Sequence, residues 1–497
     1  MNLPRKSMLW SAGQHDGQSV HDAAQASYRQ ARRAHWDQVA RRMDRGAGWG
    51  AYYHRRLVQI YQFLVPPGQR VLEIGCAQGD LLAALEPQVG VGVDFSGEMI
   101  RRAERRHPKL RFVQADAHYL DLNERFDAII LSDLTNDLWD VQAVLQQVMW
   151  LTTPRTRLIL NFYSRLWELP LALAGWLGLA NPTLHQNWLT AEDIDNLLYL
   201  TDFEIVRSWP EILLPLPVPL LSAFCNHVLV KIWPLRYLAL TNFVVARPHA
   251  LHTESPIEEP TVSVVVPARN EAGNIPSIFH RVPHIGRGVE LVFVEGHSRD
   301  DTHAVIEQGI ANHPEKRCKL LQQTGVGKGD AVRLGFAQAS GDMLMILDAD
   351  LTTPPEDLPR FYEALCSGRG EFINGVRLVY PREAEAMRFL NLLGNKFFSL
   401  AFSWLLGQPV KDTLCGTKAL WKSDYERLAA SRAYFGDFDP FGDFDLLFGA
   451  AKLNLRILDL PIRYRERTYG TTNIHRWKHG WLLLKMVLFA AWRIKFA

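Results

Sequence analysis

Several features that mark whole classes of protein are missing from this sequence. With 55 basic and 53 acidic side chains, the net charge is only +2, so the basic excess of duplex-binding proteins is absent and we expect no nucleic-acid partner. No apolar run reaches the roughly 18 to 20 residues that span a bilayer, and residues 1–22 contain no continuous apolar core. We therefore expect neither a transmembrane helix nor a secretory signal peptide.

Cysteine is also scarce. The thiols are scattered over the chain without metal-binding spacing, at positions 76, 225, 318, 366 and 415. Unpaired cysteines of this kind are typical of reducing compartments. We interpret them as free thiols of a protein on the cytoplasmic side of the membrane.

The length indicates two domains, because 497 residues exceed one usual hydrophobic core and 47% of them are apolar. Prolines and polar residues interrupt the pattern at 249–260, which predicts a linker. The predicted segments are a helical extension at 1–51, a first α/β domain at 52–248, the linker at 249–260, a second α/β domain at 261–475 and a basic amphipathic helix at 476–497.

The most informative stretch is an apolar run, 343–347, that stops at Asp348 and Asp350. Alternate residues of an extended segment point the same way, so a strand ending here would present both carboxylates on one side of its carboxyl edge. Mg²⁺ and Mn²⁺ prefer oxygen ligands and commonly take only one or two from the protein, the rest coming from phosphate and water. The pair predicts a divalent metal held beside a diphosphate. The alternative is a surface turn with two solvated acids.

Neighbouring segments favour the metal site. Buried-strand patterns at 262–266 and 291–295 end in polar residues, and a glycine-rich segment at 325–329 opens a helix before the Asp348 strand. Strands and helices that alternate in this way predict a parallel sheet. Ligands of such sheets sit at the carboxyl ends of the strands, where these polar residues fall.

Together these segments resemble the family 2 glycosyltransferases over about residues 261–480, and within that family the dolichyl- and polyprenyl-phosphate mannose synthases. The resemblance implies a GT-A fold, a nucleotide diphosphate sugar as donor and a polyprenyl phosphate as acceptor. It also places the metal on Asp348 and Asp350. The residues it implies for the nucleotide sugar are Pro267, Ala268, Asn270, Glu271, Glu295, Lys328, Asp348, Ala349 and Asp350.

The same resemblance implies two further groups of residues. Arg377, Arg463 and Arg465 are expected to meet phosphates, because a planar guanidinium matches phosphate oxygens; ordinary surface arginine is the alternative. Asp443 and Asp445 fall where many family members carry a catalytic acid pair, so we predict both to be catalytic. A phosphate acceptor is already ionised and requires no base, in which case Asp443 would position the acceptor. The simplest alternative for Asp443 is an acid at a helix N-terminus.

The first domain has a different signature. A strand at 71–74 runs into a turn with Gly75 and Gly79, where the missing Cβ lets the backbone approach a ligand closely. The following strands end in acids, an arrangement that can bind ribose hydroxyls. These acids are Asp94, Asp116 and Asp133.

The spacing of Glu73, Gly75, Ala77 and Gly79 resembles motif I of the class I S-adenosylmethionine-dependent methyltransferases and misses the dinucleotide spacing. The resemblance covers about residues 52–248 and implies a Rossmann-like fold with S-adenosylmethionine as cofactor. An NAD-dependent enzyme and a domain that binds nothing are the alternatives. The cofactor-binding residues that the resemblance implies are Glu73, Gly75, Gly79, Asp94, Asp116, Ala117 and Asp133.

Contact with lipid is the last expectation. Residues 468–497 contain no acid, and from 476 onward basic side chains alternate with tryptophan and aliphatic residues. This mixture suits a helix lying in a lipid headgroup layer, whereas packing on the protein is the alternative. Residues 397–406 are a second candidate lipid surface. The proline-rich apolar segment 212–225 predicts a lid or insertion of the first domain, with core packing as its alternative.

The sequence thus predicts a bifunctional enzyme, peripheral on the inner face of the membrane, in which an α/β methyltransferase precedes an inverting glycosyltransferase. Two alternatives stay open. The sugar acceptor could be a glycan hydroxyl, or one of the domains could be a noncatalytic binding module.

Overall fold

A computed structural model gives the fold of the chain. The structure describes residues 11–42, 50–176, 184, 186–249, 259–377, 389–432, 442–465, 467, 469 and 476–496. The chain divides into two compact units, Met1–Pro248 and His249–Ala497. The predicted linker begins at this division, and its residues 250–258 lie outside the described part of the chain.

Strands and helices alternate in the first unit. Its strands are β1 (Arg70–Ile74), β2 (Val89–Asp94), β3 (Arg111–Gln114), β4 (Ala128–Ser132), β5 (Arg157–Tyr163), β6 (Phe203–Glu211) and β7 (Thr241–Pro248). Its helices are α1 (Ser11–Arg42), α2 (Gly50–Leu64), α3 (Asp80–Ala84), α4 (Gly97–Arg106), α5 (Val141–Met149), α6 (Glu168–Trp176), α7 (Ala191–Leu200) and α8 (Leu221–His227). Short 3₁₀ turns cover Thr135–Asp137, Arg165–Trp167, Leu229–Lys231 and Leu235–Leu238.

The strands of the first unit form a sheet in the order β3-β2-β1-β4-β5-β7-β6. The pairs from β3 to β5 are parallel, and β7 runs antiparallel to both β5 and β6. The central strands are buried on both faces, as expected when helices cover a parallel sheet. The carboxyl ends of β1, β2 and β4 therefore meet at one edge, where the glycine turn and the predicted acids lie.

The second unit also alternates strands and helices, but its strands are connected in a different order. Its strands are β8 (Val262–Ala268), β9 (Val289–Glu295), β10 (Arg317–Gln322), β11 (Met343–Ile346), β12 (Phe372–Val376), β13 (Lys418–Trp421) and β14 (Ile457–Pro461). Its helices are α9 (Ile275–Arg281), α10 (Thr302–Asn312), α11 (Lys328–Gln338), α12 (Leu358–Cys366), α13 (Phe389–Leu406), α14 (Lys422–Ala430), α15 (Asp443–Lys452) and α16 (Arg476–Ala490), with a 3₁₀ turn at Pro355–Asp357 and a π-helical turn at Ala491–Lys495.

The sheet of the second unit has the order β10-β9-β8-β11-β13-β12-β14. Parallel pairing runs from β10 to β11, whereas β13 is antiparallel to its two neighbours and β14 is parallel to β12. Apolar side chains from β8, β9 and β11 fill a continuous core with α9 and α12. This core fixes the carboxyl ends of β8, β9 and β11 side by side.

The carboxyl-terminal helix α16 and the helix α13 pack against each other. Met486 and Ala490 are buried, so one face of α16 packs on the protein as the alternative interpretation expected. Other aromatic and aliphatic side chains of the two helices are exposed, namely Phe397, Leu400, Trp404, Trp481, Leu488 and Trp492. Among the described residues, no helix combines the length and the apolar character needed to cross a membrane.

The segment 212–225 begins in the core, where Ile212 is fully buried, and continues outside it. Leu220 is 88% exposed and Phe224 is 52% exposed, so core packing accounts for Ile212 but not for these two side chains. Ser222 and Asn226 are buried and hold the segment in place, since Asn226 Oδ1 accepts hydrogen bonds from the amides of residues 213 and 214. The role of this segment as a lid or insertion stays a prediction.

Candidate functional site

Asp348 and Asp350 lie in the turn that follows β11. The strand ends at Ile346, and Leu351 has a left-handed backbone with φ of +54°. The expectation that strand alternation aligns the two acids was therefore wrong. Turn hydrogen bonds orient them instead, because Asp350 Oδ1 accepts from the amide and the hydroxyl of Thr352 at 3.1 and 2.8 Å.

Lys328 connects the first helical turn of α11 to this acid pair. Its Nζ lies 2.5 Å from Asp348 Oδ1. Burial opposes the charge on Lys328, but the neighbouring carboxylates outweigh it and raise its pKa. Gly416 allows this approach, since a Cβ there would lie 2.0 Å from Lys328 Nζ and 2.1 Å from Asp348 Oδ2.

Asp443 reaches the same place from the first turn of α15. Gly442, with φ of +75°, packs against Gly329, where an added Cβ would lie 2.5 Å from the Gly329 Cα. The amino-terminal ends of α15 and α11 can therefore meet, which places Asp443 near Lys328. The fully buried Lys418 lies 3.1 Å from Asp443 Oδ1, an ion pair without a hydrogen bond to that oxygen.

Arg467, which follows β14, forms ion pairs with two carboxylates. Its guanidinium donates to Asp350 Oδ2 at 2.6 Å and to Glu271 Oε1 at 3.0 Å. Burial raises the pKa of Glu271 overall. A single planar fork thus connects the turn after β11 to the loop after β8.

The loops after β8 and β9 hold each other in place. Pro267 and Ala268 end β8, and the amide of Asn270, at φ of +58°, donates to Ser298 Oγ at 3.0 Å. Glu295 ends β9 and accepts a 2.5 Å hydrogen bond from the amide of Ser298. Burial opposes ionisation of Glu295, but the Ser298 hydrogen bonds lower its pKa overall. These contacts form the edge at which the sequence places the nucleotide, with Ala349 buried behind it.

The predicted phosphate-binding arginines lie in different environments. Arg377 forms a bidentate ion pair with the fully buried Asp412, at 2.8 and 2.9 Å. Arg463 and Arg465 are exposed, and the amide of Arg465 donates to the carbonyl of Thr352. Guanidinium contacts to the Asp348–Asp350 turn come from Arg467, which the sequence analysis did not select.

Asp445 is not beside Asp443. Although both are in the first turn of α15, Asp445 is paired with Arg432 at 2.9 Å on another side of the helix. The sequence analysis did not select Lys418 either. No pattern distinguishes it from a surface lysine, because its burial depends on the packing of β13.

The chemistry of this cluster suits a metal and a diphosphate. Carboxylates supply the oxygen ligands that Mg²⁺ or Mn²⁺ prefers, and the described residues contain no group of three or more such side chains arranged as a closed metal cage. Two carboxylates completed by phosphate and water would fit this arrangement. The cations Lys328, Lys418 and Arg467 surround the acids and could neutralise a diphosphate.

In the first unit, the glycine turn after β1 forms a close-packed cradle. Gly75 and Gly79 have φ of +77° and +75°, and a Cβ on Gly79 would lie 2.6 Å from the Phe112 ring. Glu73 supports the turn from behind, since its carboxylate accepts from the amide of Leu82 at 3.0 Å. Burial raises the pKa of Glu73 to about 8. The cradle has the form that a close-approaching cofactor requires.

Asp94 ties the end of β2 to this cradle. Its two oxygens accept from the amides of Ala77 and Ser96 at 3.0 and 2.8 Å. Burial raises the pKa of Asp94 to about 6. The carboxylate is thus fixed at the carboxyl edge between the glycine turn and α4, where a ribose would be bound.

Asp116 lies farther along this edge, beside the half-buried Ala117. Burial alone would raise the pKa of Asp116, but hydrogen bonds from His118 lower it overall. The helix α1 lies over the same edge. Its Arg29 pairs with Asp116 at 3.2 Å, and its Asp37 accepts a 2.5 Å hydrogen bond from Ser96. The amino-terminal helix, to which the sequence assigned no task, thus lines the cofactor edge.

Asp133 follows β4 with a left-handed backbone, φ of +53°. Tyr53 of α2 and Asn161 of β5 donate to its Oδ1 at 2.8 and 2.5 Å. The next residue, Leu134, packs on the glycine turn, because a Cβ on Gly75 would lie 3.0 Å from Leu134 Cδ1. The acid therefore lies adjacent to the predicted cofactor cradle.

Comparisons with known proteins identify a family for part of each unit. Residues 263–426 match the family described as Glycosyl transferase family 2, and residues 49–208 match a family described as Methyltransferase domain. Together with the two sheet orders, these matches confirm the predicted fold class, a Rossmann-like methyltransferase unit and a GT-A unit.

Two curated relatives resemble the second unit. The chain is 29% identical over 175 residues to an undecaprenyl-phosphate 4-deoxy-4-formamido-L-arabinose transferase from Pseudomonas aeruginosa, which covers 34% of this chain and 50% of the relative. It is 31% identical over 169 residues to a dolichol-phosphate mannosyltransferase from Pyrococcus furiosus, with 33% and 47% covered. The chain spans about half the length of these relatives.

Solved structures resemble each unit at low identity. Glucosyl-3-phosphoglycerate synthase from Mycobacterium tuberculosis has 21% identity and a TM-score of 0.36, over 47% of this chain and 80% of that chain. A SAM-dependent methyltransferase from Methanosarcina mazei has 17% identity and a TM-score of 0.30, over 38% and 97%. The family matches and the fold lead to one conclusion: this chain joins a methyltransferase domain to a domain of glycosyltransferase family 2.

Proposed function

We propose that the protein is bifunctional. Its second unit transfers a hexose, with inversion, from a nucleotide diphosphate sugar to a polyprenyl phosphate, and its first unit transfers a methyl group from S-adenosylmethionine to an acceptor of a glycan pathway. The observation that carries the sugar-transfer proposal is the convergence of Asp348, Asp350 and Asp443 with three cations at the strand ends. Relatives whose names describe polyprenyl-phosphate sugar transfer support this acceptor.

In the proposed reaction, the cations hold charge that develops on the leaving diphosphate. Lys328 and Arg467 already face the carboxylates that would share a metal with that diphosphate. Bound Mg²⁺ or Mn²⁺ would supply further charge neutralisation there. Asp443, held by Lys418, would position the acceptor, since an ionised phosphate can attack without losing a proton.

The activity is tested by incubating the full chain with Mg²⁺ or Mn²⁺, a panel of nucleotide sugars and either undecaprenyl phosphate or a soluble glycan. Lipid-linked sugar as the product would support the proposal. Transfer to the soluble glycan alone would favour the alternative in which Asp443 is a base for a hydroxyl. Turnover by one unit and none by the other would favour a binding role for the inactive unit.

The methyl-transfer proposal rests on the cradle of Gly75 and Gly79 beside Asp94 and Asp116. The two glycines would let the cofactor lie close to the backbone. Asp94 would accept hydrogen bonds from the ribose hydroxyls, and Asp116 and Ala117 would lie beside the adenine. Glu73 supports the turn. When bound, S-adenosylmethionine would supply the activated methyl group.

We expect Asp94→Ala to weaken S-adenosylmethionine binding by on the order of 1.5 to 3 kcal/mol, because it removes charged hydrogen bonds to the ribose. Titration calorimetry on the full chain measures this loss. Asp127→Ala is a suitable control, since Asp127 accepts from the amide of Arg70 away from this edge. Wild-type protein that binds NAD and ignores S-adenosylmethionine would contradict the assignment.

We also propose that the exposed side chains of α13 and α16 contact the membrane, placing the protein peripherally on its inner face. Lys485 and Arg493 are exposed beside Trp481, Leu488 and Trp492, and no acid interrupts the helix. This arrangement suits anionic headgroups. Two further basic residues that are predicted to contact lipid are Arg476 and Lys478. The structure does not describe the side chains of residues 476–480.

The membrane contact predicts a loss on substitution. The double variant Trp481→Ser, Trp492→Ser should bind phosphatidylglycerol vesicles more weakly and should transfer sugar more slowly to long polyprenyl phosphates than to short soluble analogues. Each basic residue near the surface contributes roughly 1 kcal/mol, so binding should also fade as salt rises. Trp150→Ser, at a similarly exposed tryptophan of the other unit, is the control. Unchanged vesicle binding by the double variant would show that α16 is structural packing only.

A further inference from the structure

The side chain of Asp133 has a protein partner on one oxygen and an open second oxygen. Oδ1 accepts from Tyr53 and Asn161, and Asn161 is itself fixed because its Oδ1 accepts from Tyr61 at 2.7 Å. In the described part of the chain, no donor reaches Asp133 Oδ2, and the residue retains partial exposure. The carboxylate is therefore oriented through Oδ1, and among the described residues it has no donor on Oδ2.

The position of Asp133 next to the cradle is also informative. Its left-handed backbone is uncommon for a residue other than glycine, and such conformations cluster at functional sites. Leu134 packs on Gly75, so the acid follows a side chain that touches the cofactor turn. Asp94 and Asp116 occupy the ends of β2 and the loop after β3, on the opposite side of β1 from Asp133. The proposed cofactor contacts are assigned to Asp94 and Asp116, so we assign Asp133 to the acceptor in place of the cofactor-binding role that the resemblance implied.

The surroundings of Asp133 favour a proton acceptor near neutral pH. Burial raises its pKa to about 7, against the lowering effect of Tyr53 and Asn161. The titratable groups that face it are Tyr53 and Tyr61 from α2, Tyr163 from β5 and Asp137 from the following turn. Burial raises the pKa of each of these tyrosines well above 10, so they remain neutral donors while Asp133 titrates.

We propose that Asp133 is the general base of the methyltransferase unit and that the acceptor is a neutral hydroxyl, such as a sugar hydroxyl. This inference rests on the proposed methyl transfer and names its acceptor class. The rings of the buried Tyr53 and the half-buried Tyr163, with centroids 6.1 Å apart, pack beside the acid and shield it from solvent on that side. A carboxylate or phosphate acceptor would be repelled by ionised Asp133 and would need no base.

The reaction balances without a further reactant. The acceptor oxygen forms a bond to the methyl carbon as the carbon–sulfur bond breaks, and the electron pair of that bond stays on sulfur. The hydroxyl proton passes to Asp133 Oδ2 and then to solvent. The products are a methyl ether, S-adenosylhomocysteine and one proton.

Asp133→Asn tests the role, because it keeps the size of the side chain and removes the base. We expect binding of S-adenosylmethionine, measured by calorimetry, to change less than twofold, whereas methyl transfer falls about a hundredfold. The probes are radiolabelled S-adenosylmethionine with methyl and octyl glycosides and an extract of polyprenyl-linked sugars. The methyl group should enter an alkali-stable ether. An alkali-labile methyl ester, or a tenfold loss of cofactor affinity in Asp133→Asn, would overturn the inference.

The pH profile of Tyr53→Phe distinguishes a general base from a residue with only a structural role. The rate should fall about tenfold for each pH unit below the pKa of Asp133, because the protonated acid cannot accept a proton. Removing the Tyr53 donor disfavours the charged form, so the acidic limb should shift to higher pH. Asp94 and Glu73 also titrate near this range, but neither is hydrogen-bonded to Tyr53, so their limbs should not move.

The carboxyl itself can be observed without any acceptor. Carbon-13 NMR of aspartate-labelled protein bound to S-adenosylhomocysteine, with Asp133→Asn to assign the signal, should give a midpoint near 7. A midpoint in the ordinary range for aspartate would exclude the proposed base even if every acceptor probe failed. Wild-type protein that binds neither S-adenosylmethionine nor S-adenosylhomocysteine would instead contradict the methyl-transfer proposal itself.

Discussion

Asp350→Asn is expected to lower sugar transfer about a thousandfold and to leave S-adenosylmethionine binding unchanged. Oδ2 of Asp350 meets Arg467 at 2.6 Å and faces the position proposed for the metal, whereas Oδ1 is held by Thr352. Replacing the carboxylate by an amide removes one negatively charged metal ligand. The amide also presents either an NH₂ group or a weaker hydrogen-bond acceptor to the guanidinium of Arg467. Loss of metal-assisted charge stabilisation costs several kcal/mol, and about 4 kcal/mol corresponds to this factor.

The matched control for this prediction is Asp357→Asn. Asp357 belongs to the same unit but pairs with Arg360 on the surface at 3.1 Å. Both variants should melt within a few degrees of the wild type. In addition, EDTA should abolish transfer by the wild type, and Mg²⁺ or Mn²⁺ should restore it. Full transfer by Asp350→Asn, or activity that persists in EDTA, would remove the metal from the proposal.

The fold was predictable from the sequence because its signals are local. Apolar runs of strand length that end in glycine or polar residues recur along both units, and three of them became β1, β8 and β9 within a few residues of the predicted bounds. Parallel strands buried on both faces carry this pattern in their own residues. The alternation of strand and helix indicated parallel sheets but did not give the order of the strands.

Side-chain pairing in the sugar-transfer site was less accessible to sequence reasoning. Asp443 and Asp445 are separated by two positions, yet one meets Lys418 and the other meets Arg432. Lys418 and Arg432 are far in sequence from the acids that they contact, and no repeating pattern connects each partner to its acid. Helix rotation and the meeting of Gly329 with Gly442 decide which acid faces the strand ends, and these are properties of tertiary packing.

The turn after β11 illustrates a second limit. A strand continued to Asp350 would have aligned its acids by alternation, but the strand stops at Ile346 and the chain turns through Leu351. The geometric reason given for the carboxylate pair was therefore wrong, while its role as a metal site stays a prediction. The arginines show a similar limit. A segment rich in arginine at 463–467 does not indicate which guanidinium turns toward the carboxylates.

Arg467→Ala is expected to lower kcat/KM for the nucleotide sugar about a hundredfold, the scale of one lost charge-stabilising donor in an active site. Arg467 lies between Asp350 and Glu271, where the diphosphate and its metal are proposed to bind. A metal bound to Asp350 would compete for its contact with Arg467, and the guanidinium would then be available to the diphosphate. Arg467→Lys should recover only part of the loss, because a point charge cannot span two partners as a planar fork does.

The matched controls are Arg463→Ala and Arg465→Ala, two exposed arginines in the same segment. If Arg467 carries the phosphate contact, each control should retain transfer within about tenfold, because an exposed charge contributes little through screened solvent. If the sequence interpretation is correct instead, these two variants should raise KM for the phosphate acceptor while Arg467→Ala behaves like the wild type. Measuring KM for donor and acceptor separately in the three variants decides between the assignments, since the structure places Arg467 beside the donor-side carboxylates and leaves the other two guanidinium groups at the surface.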